Sequence, residues 1–457
     1  MSKNIDLTNG SIVKNLIMLS GPIVLGMLLQ AMYNIIDTIF IGMLGPKELA
    51  AIAITFPVVF VFIAMGTGLS VGSTILISQN IGAKKLKKAS NAAEHSLLIS
   101  TIIGIIVAIF GIVFSEPVFL FMGATSEILP MTLEYSRLIF IGFIFMFIGF
   151  IAQGILRAEG DSKTSFKINL IAIGLNIVLD PLLIFGIFGF PELGITGAAI
   201  ATVISRIIGT TMILLYLYKG KAQTKICFNI KYFKFDTNIV KKIFSVGLPA
   251  SLGNLMTSIG MILMMTLIGT FGSPAIAAYG VGLRIDSLVR MPIFGLMSAI
   301  VAITGQNIGA NNIDRILKTA KIGIGIVLAV MIPITIIMIS IPKLLFKIFS
   351  SNIIVIEIGA QYLSIVAFSY LFFGISMVLM GVLQGAGKTK TSAVIMALYW
   401  IIMIVLAYFL KKTHGLNGIW FGVLISAILI SIIVGIVYKT KYWISKTKQK
   451  QQNISTH

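Results

Sequence analysis

This sequence predicts an all-α polytopic membrane protein with twelve transmembrane helices in two parallel six-helix lobes. Three observations carry that reading. Of the 457 residues, 57% are hydrophobic and 11% are charged, and the mean hydropathy is +1.03. A water-soluble chain of this length cannot hide so much apolar surface, so its solvent is largely lipid. The chain also repeats itself at a constant offset of 227 residues. Pro22 returns as Pro249, Gly26 as Gly253, and Gln79-Asn80-Ile81-Gly82-Ala83 letter for letter as Gln306-Asn307-Ile308-Gly309-Ala310. Finally, lysines and arginines fall in every second loop, the positive-inside pattern.

Apolar runs long enough to cross a core of ~30 Å place the first six spans at 13–44, 49–79, 91–115, 134–156, 165–187 and 194–218. The second copy gives 240–271, 277–305, 318–341, 360–386, 391–411 and 416–438. These are helices, since a membrane barrel would show short alternating strands. The register weakens past Ser392, where Gly194, Gly197 and Ser205 find Gly415, Gly418 and Ser426 only after a six-residue deletion, assigned to an outer loop.

Loop charge sets direction. Lys84, Lys85, Lys87 and Lys88 follow the second span, Arg157, Lys163 and Lys167 flank the break after the fourth, and Lys219 to Lys242 fill the link between the halves. Arg315, Lys318, Lys321, Lys388, Lys390 and the run from Lys439 to Lys450 continue the series. The alternate loops carry Glu116, Glu127, Glu134 and Glu192, with Lys343, Lys347, Lys411 and Lys412 as exceptions. Both termini are therefore expected in the cytoplasm. Six spans is an even number, so the repeats are parallel, related by an axis along the membrane normal. The domains read as an N-lobe over 1–218, a cytoplasmic linker over 219–239, a C-lobe over 240–440 and a basic cytoplasmic tail over 441–457.

Several classes are disfavoured. The net charge of +20 follows the loops, so it does not point to nucleic acid. Cys227 is the only cysteine and lies in a Lys-rich loop, which leaves no disulfide framework. His95, His414 and His457 are too dispersed for a metal or catalytic cluster, and no phosphate-cradling Gly-Lys-Ser/Thr loop occurs. The chain reads as no enzyme, with no cofactor. The start, Met1 to Ser20, lacks a short apolar core with a cleavage site, so it reads as a retained span. Low charge with abundant Ile and Lys suggests an AT-rich prokaryote.

A duplicated apolar chain is the usual build of a secondary transporter, and ionisable groups inside a span mark a substrate or ion path. Asp37 and Asp180 each lie about seven residues from the outer end of spans one and five. Tyr33 and Asn176 each precede an acid by four residues, so they share its helix face. Gln30 lies on the Asp37 face, and Thr202 reaches a matching depth in span six. Two carboxylates, an amide and a hydroxyl supply hard oxygens for a small cation. They equally make a proton store, because burial penalises the charged carboxylate. In the second copy Met264 and Ala407 replace the acids, so buried acid chemistry is expected in one lobe only. Pro22 interrupts the ladder of span one and is a candidate kink or gate beneath Asp37. Arg284, Asp286 and Arg290 read as a local ion pair or a bridge between lobes, and Arg206 has no sequence-near acid. The twin Gln-Asn-Ile-Gly-Ala elements read as helix caps.

The pattern resembles the multidrug and toxic compound extrusion (MATE) family of the MOP superfamily. The resemblance rests on Ser20-Gly21-Pro22, Asp37, Leu175-Asn176-Ile177-Val178-Leu179-Asp180-Pro181, Gly194 with Gly197-Ala198-Ala199, Arg284 with Pro292, and Gly305 to Ala310. It covers essentially the whole chain. It implies a twelve-helix antiporter exporting organic cations and amphiphilic drugs in exchange for Na⁺ or H⁺ by alternating access. Spans 240–271 and 360–386 hold no Asp or Glu, so the chain is similar to the prokaryotic branch near the DNA-damage-inducible transporters, with acids in the first lobe. There the resemblance implies a coupling set of Asp37, Asn176, Asp180 and Thr202 (a Na⁺ candidate), with Tyr33 and Gln30 facing the substrate cavity. Small amphiphilic or cationic molecules and membrane lipid would be the partners, a prokaryotic cell membrane the location, and a monomer sufficient. The rival is a flippase for lipid-linked oligosaccharide, kept open by Arg206 and Arg284.

Overall fold

The computed structural model describes residues 6–219, 224 and 235–444. Cys227, most of the linker and the tail beyond 444 lie outside the described residues. Every regular element described is helical: α1 (Ile12–Gly42), α2 (Pro46–Gly82), α3 (Leu86–Phe121), α4 (Leu129–Ala158), α5 (Ser162–Phe185) and α6 (Gly194–Tyr218) in the first repeat. The second holds α7 (Thr237–Gly269), α8 (Ser273–Gly309), α9 (Ile313–Ser340), the short α10 (Pro342–Lys347), α11 (Ile353–Val366), α12 (Ser369–Gly385) and α13 (Thr389–Lys439). Helices follow from the solvent, because lipid offers backbone amides no partner outside their own ladder.

Ten of these helices are long and apolar enough to cross a membrane, and α11 with α12 makes one further span bent by 49°. α13 runs 51 residues, about 77 Å at 1.5 Å per residue and more than twice a bilayer core. It turns back at Gly415, with φ 57° and ψ −138°. A Cβ on Gly418 would lie 2.1 Å from the Leu410 carbonyl oxygen, and one on Gly422 2.8 Å from the Ala407 nitrogen. α13 is therefore a hairpin of two crossings, which brings the spans to twelve. The first repeat makes the same contact: a Cβ on Gly197 would lie 2.3 Å from the Leu183 carbonyl oxygen. The six-residue deletion falls in the connection, where the first repeat inserts the 3-10 turn Ile187–Gly189.

The repeat persists in backbone detail. Lys84 and Asn311 are left-handed at φ 57° and 59°, and Gly160 and Gly387 both at 84°. The amides of Lys85 and Asn312 each donate to the asparagine carbonyl of their Gln-Asn-Ile-Gly-Ala element at 2.9 Å. The sequence reads that glycine as the cap. Gly82 and Gly309 are instead the last helical residues, and the left-handed residue comes two positions later.

By internal contact the chain forms two compact units, Leu25–Ser251 and Leu7–Val24 with the described residues from Leu252 onward. The unit edges fall inside α1 and α7, two residues past Pro22 and Pro249, whereas the sequence places the lobe boundary in the basic linker. In the first unit small residues bring helices close: a Cβ on Gly104 would lie 2.8 Å from Ile144 Cα, and Ser251 donates to the Met65 carbonyl at 3.2 Å. In the second, Arg315 donates to the carbonyls of Leu7, Asn9 and Gly10 at 3.2, 2.7 and 2.9 Å. Asn307 donates to Leu7 as well, at 3.0 Å. Arg315 is thus an anchor for the chain entering α1 and not only a topology charge.

The hairpin contacts give a paired expectation. Gly197→Ala and Gly418→Ala press a methyl onto backbone that cannot swing aside, and each should cost about 1–3 kcal/mol, read as a lower melting temperature in detergent. Gly174→Ala, with nothing within 4 Å of its Cβ, should leave it unchanged or raise it.

Candidate functional site

A cavity of about 480 Å³ opens inside the first unit among α1, α2, α4, α5 and α6. Its wall is mostly apolar, with polar side chains at a few points, as small-molecule sites commonly are. α1 contributes Gln30, Tyr33, Asn34 and Asp37, α5 contributes Asn176, and α6 contributes Thr202. The spacing of four residues within α1 puts Tyr33 and Asp37 on one face, and Tyr33 OH lies 3.0 Å from Thr202 Oγ1 of α6. Asn176 Nδ2 donates to Asp180 Oδ1 at 3.3 Å, one turn along α5. Asp180 is fully buried and does not line the cavity; it stands behind Asn176.

The oxygens left over decide what this arrangement can do. Asp37 Oδ1, Asn176 Oδ1 and Asp180 Oδ2 are buried and have no hydrogen-bond partner. A buried carboxylate oxygen without a donor is costly unless a cation or proton meets it. Three bare hard oxygens from α1 and α5 suit a small monovalent cation, and two of them equally suit a proton. No group of three or more His, Cys, Asp or Glu able to hold a metal ion occurs among the described residues.

The predicted residues Asp37, Asn176, Thr202, Tyr33 and Gln30 all reach the cavity wall. Pro22 does not; it lies inside α1 in the stretch that belongs to the second unit. Gln153 and Asn169 also line the cavity, with Gln153 Nε2 donating to Asn169 Oδ1 at 3.4 Å, as do Tyr135 and Arg206. Sequence reasoning passed over the two amides. The signal was present: at the repeat offset Gln153 and Asn169 face Met380 and Met396, as Asp37 and Asp180 face Met264 and Ala407.

The second unit corrects one expectation, for buried acid chemistry is not confined to the first lobe. Asp286 on α8 is 4% exposed. Its Oδ2 accepts from Arg290 Nη2 and from Tyr362 OH, both at 2.9 Å, and its Oδ1 accepts from Tyr370 OH. Arg290 also lies over the Phe373 ring at 4.9 Å. The sequence treats this pair as near an interface because α8 alone is visible there. α11 and α12 supply the tyrosines that enclose it. Both oxygens of Asp286 are occupied, so it is a structural acid, unlike Asp37 and Asp180. Arg284 is exposed.

Each half of the chain meets the same family profile, that described as MatE, which matches residues 22–182 and again 249–409. This chain belongs to the MatE family. The two matches start at Pro22 and Pro249, the register of the repeat. Among relatives, the chain is 30% identical over 406 residues to "Probable multidrug resistance protein YoeA" of Bacillus subtilis (strain 168), covering 88% of each. It is 27% identical over 424 residues to "Multidrug export protein MepA" of Staphylococcus aureus (strain MRSA252), covering 92% of each. Among solved structures, it matches one described as the outward-facing conformation of a multidrug resistance MATE family transporter of the MOP superfamily. That match has a TM-score of 0.90 and 28% identity, over 96% of this chain and 98% of the other. This MatE-family chain is accordingly a multi-pass membrane protein of a transporter family.

The contrast between acids is testable by stability alone. Asp286→Asn leaves Arg290 buried without its counter-charge and should cost about 3–5 kcal/mol, seen as a markedly lower melting temperature. Asp37→Asn removes a carboxylate that has no partner to lose and should hold or raise it.

Proposed function

We propose that this MatE-family chain is a secondary antiporter of a prokaryotic cell membrane, expelling organic cations and amphiphilic drugs in exchange for Na⁺ or H⁺. The observation that carries the reading is the set of bare oxygens on Asp37, Asn176 and Asp180 beside an apolar cavity large enough for a drug-sized molecule. The coupling set is Asp37, Asn176, Asp180 and Thr202, with Tyr33 and Gln30 touching substrate. Both termini lie in the cytoplasm, and a monomer suffices because one chain holds the whole oxygen set. The names of the relatives, a multidrug resistance protein and a multidrug export protein, support the same class.

In this reading the cycle is alternating access. A cation reaching the acids from outside neutralises them, favours the state in which the first-unit cavity closes around them, and displaces the bound drug; its loss inside resets the cycle. A ligand shifts such an equilibrium only through different affinity for the two states. The bare oxygens supply that difference, since their cost is relieved only while a cation or proton occupies them. The flippase alternative is weaker: Arg284 is exposed, and Arg206 shares its cavity with Asp37, which would repel a pyrophosphate.

Proteoliposomes loaded with a fluorescent organic cation test the reading under imposed Na⁺ or H⁺ gradients. Gradient-driven transport that falls to background in Asp37→Asn, while Asp37→Glu keeps part of it, is the expected result. Dye that ignores both gradients, or full transport by Asp37→Asn, overturns it.

A further inference from the structure

The first-unit cavity holds a third charge that the antiport cycle does not use. Arg206 lies four residues beyond Thr202 on α6, and its side chain lines the same cavity as Asp37. Its Nη1 is buried without a hydrogen-bond partner, as is Asp37 Oδ1. The described ion pairs are Lys47 with Glu127, Arg290 with Asp286 and Lys343 with Glu357, so Arg206 and Asp37 do not close to ion-pair distance. The repeat makes the grouping specific. At the offset of the sixth span Arg206 faces Ala427, just as Asp37 faces Met264 and Asp180 faces Ala407. All three charges occur in one copy and vanish together from the other.

Their sum is what a ligand meets. The titratable groups on the wall are Tyr33, Asp37, Tyr135 and Arg206, with Asp180 directly behind. Tyrosines are neutral near pH 7, so with both acids ionised the two carboxylates and one guanidinium leave a formal charge of −1. An uncompensated charge is expensive in a low-dielectric site, whichever its sign. One monovalent cation brings the site to neutrality; a second, or a dication, overshoots. Because Arg206 and Asp37 do not close to ion-pair distance, the carboxylate stays open to a ligand.

We propose that Arg206 is a built-in counter-ion that offsets one of the two carboxylates and keeps the first-unit cavity no more negative than −1, so that it accepts one positive charge at a time and selects singly charged organic cations over dications. This rests on the antiport reading above and adds the charge class of the substrate to it. Arg206 is here a specificity-determining residue. The same arithmetic sets the exchange at one monovalent ion for one monocation.

Calorimetric binding to the detergent-solubilised full chain tests it with two probes, tetraphenylphosphonium as a monocation and methyl viologen as a dication. The native chain should bind the monocation at least tenfold more tightly. Arg206→Gln should raise methyl viologen affinity tenfold or more relative to tetraphenylphosphonium, and Arg206→Lys should keep the native ratio. A merely structural arginine would weaken both probes together and leave the ratio unmoved, and that result overturns the inference. So does a native preference for the dication. Binding of neither probe by the native chain overturns the exporter reading and this inference with it, whereas transport that fails only in Asp37→Asn, with an unmoved ratio in Arg206→Gln, removes this inference alone.

Discussion

A charge enclosed by a lipid-embedded bundle must be met by donors, by an opposite charge or by something that arrives from outside, and the chemistry of this chain follows from how each buried acid satisfies that demand. Asp286 is met from within, by Arg290 and two tyrosines. Asp180 is met on one oxygen by Asn176, while Asp180 Oδ2 and Asp37 Oδ1 are buried without a hydrogen-bond partner. The same physical cost is therefore met from within in one unit and left open in the other.

The repeat explains how both came from one scaffold. Backbone features that set the fold recur in both copies: the left-handed residues after α2 and α8, the turns at Gly160 and Gly387, and the glycines that let hairpin arms touch at Gly197 and Gly418. Side chains that set the chemistry do not recur. Where the first copy carries Asp37, Gln153, Asn169, Asp180 and Arg206, the second carries Met264, Met380, Met396, Ala407 and Ala427. Packing is under the same demand in both halves because lipid removes any hydrophobic drive between helices and leaves close contact to hold them. Polarity is under no such demand, so it could be lost from one half without loss of the bundle.

The apolar wall of the cavity matters as much as its polar points. Phe150, Met146 and Ile63 share it with the amides and acids, so an amphiphile can place a greasy body and a charged end in the same space. Aromatic rings pack the region behind it, with Phe62, Phe140 and Phe143 in edge contacts at 5.5–6.0 Å.

Much was settled by sequence alone, and for definite reasons. Span positions follow from local hydropathy, the repeat from identity at a fixed offset, and the choice of Asp37 and Asp180 as candidates from the cost of charge in lipid; all three are properties of chain segments. Helix faces also followed, since four-residue spacing put Tyr33 with Asp37 and Asn176 with Asp180. What needed the tertiary structure was partnership. No spacing in the chain relates Tyr33 to Thr202, Gln153 to Asn169, or Asp286 to Tyr362 and Tyr370, because those pairs meet only when helices distant in sequence pack. Whether a buried acid is held or bare depends on its partners, so only the folded bundle could separate Asp286 from Asp37 and set Arg206 on the wall that Asp37 shares.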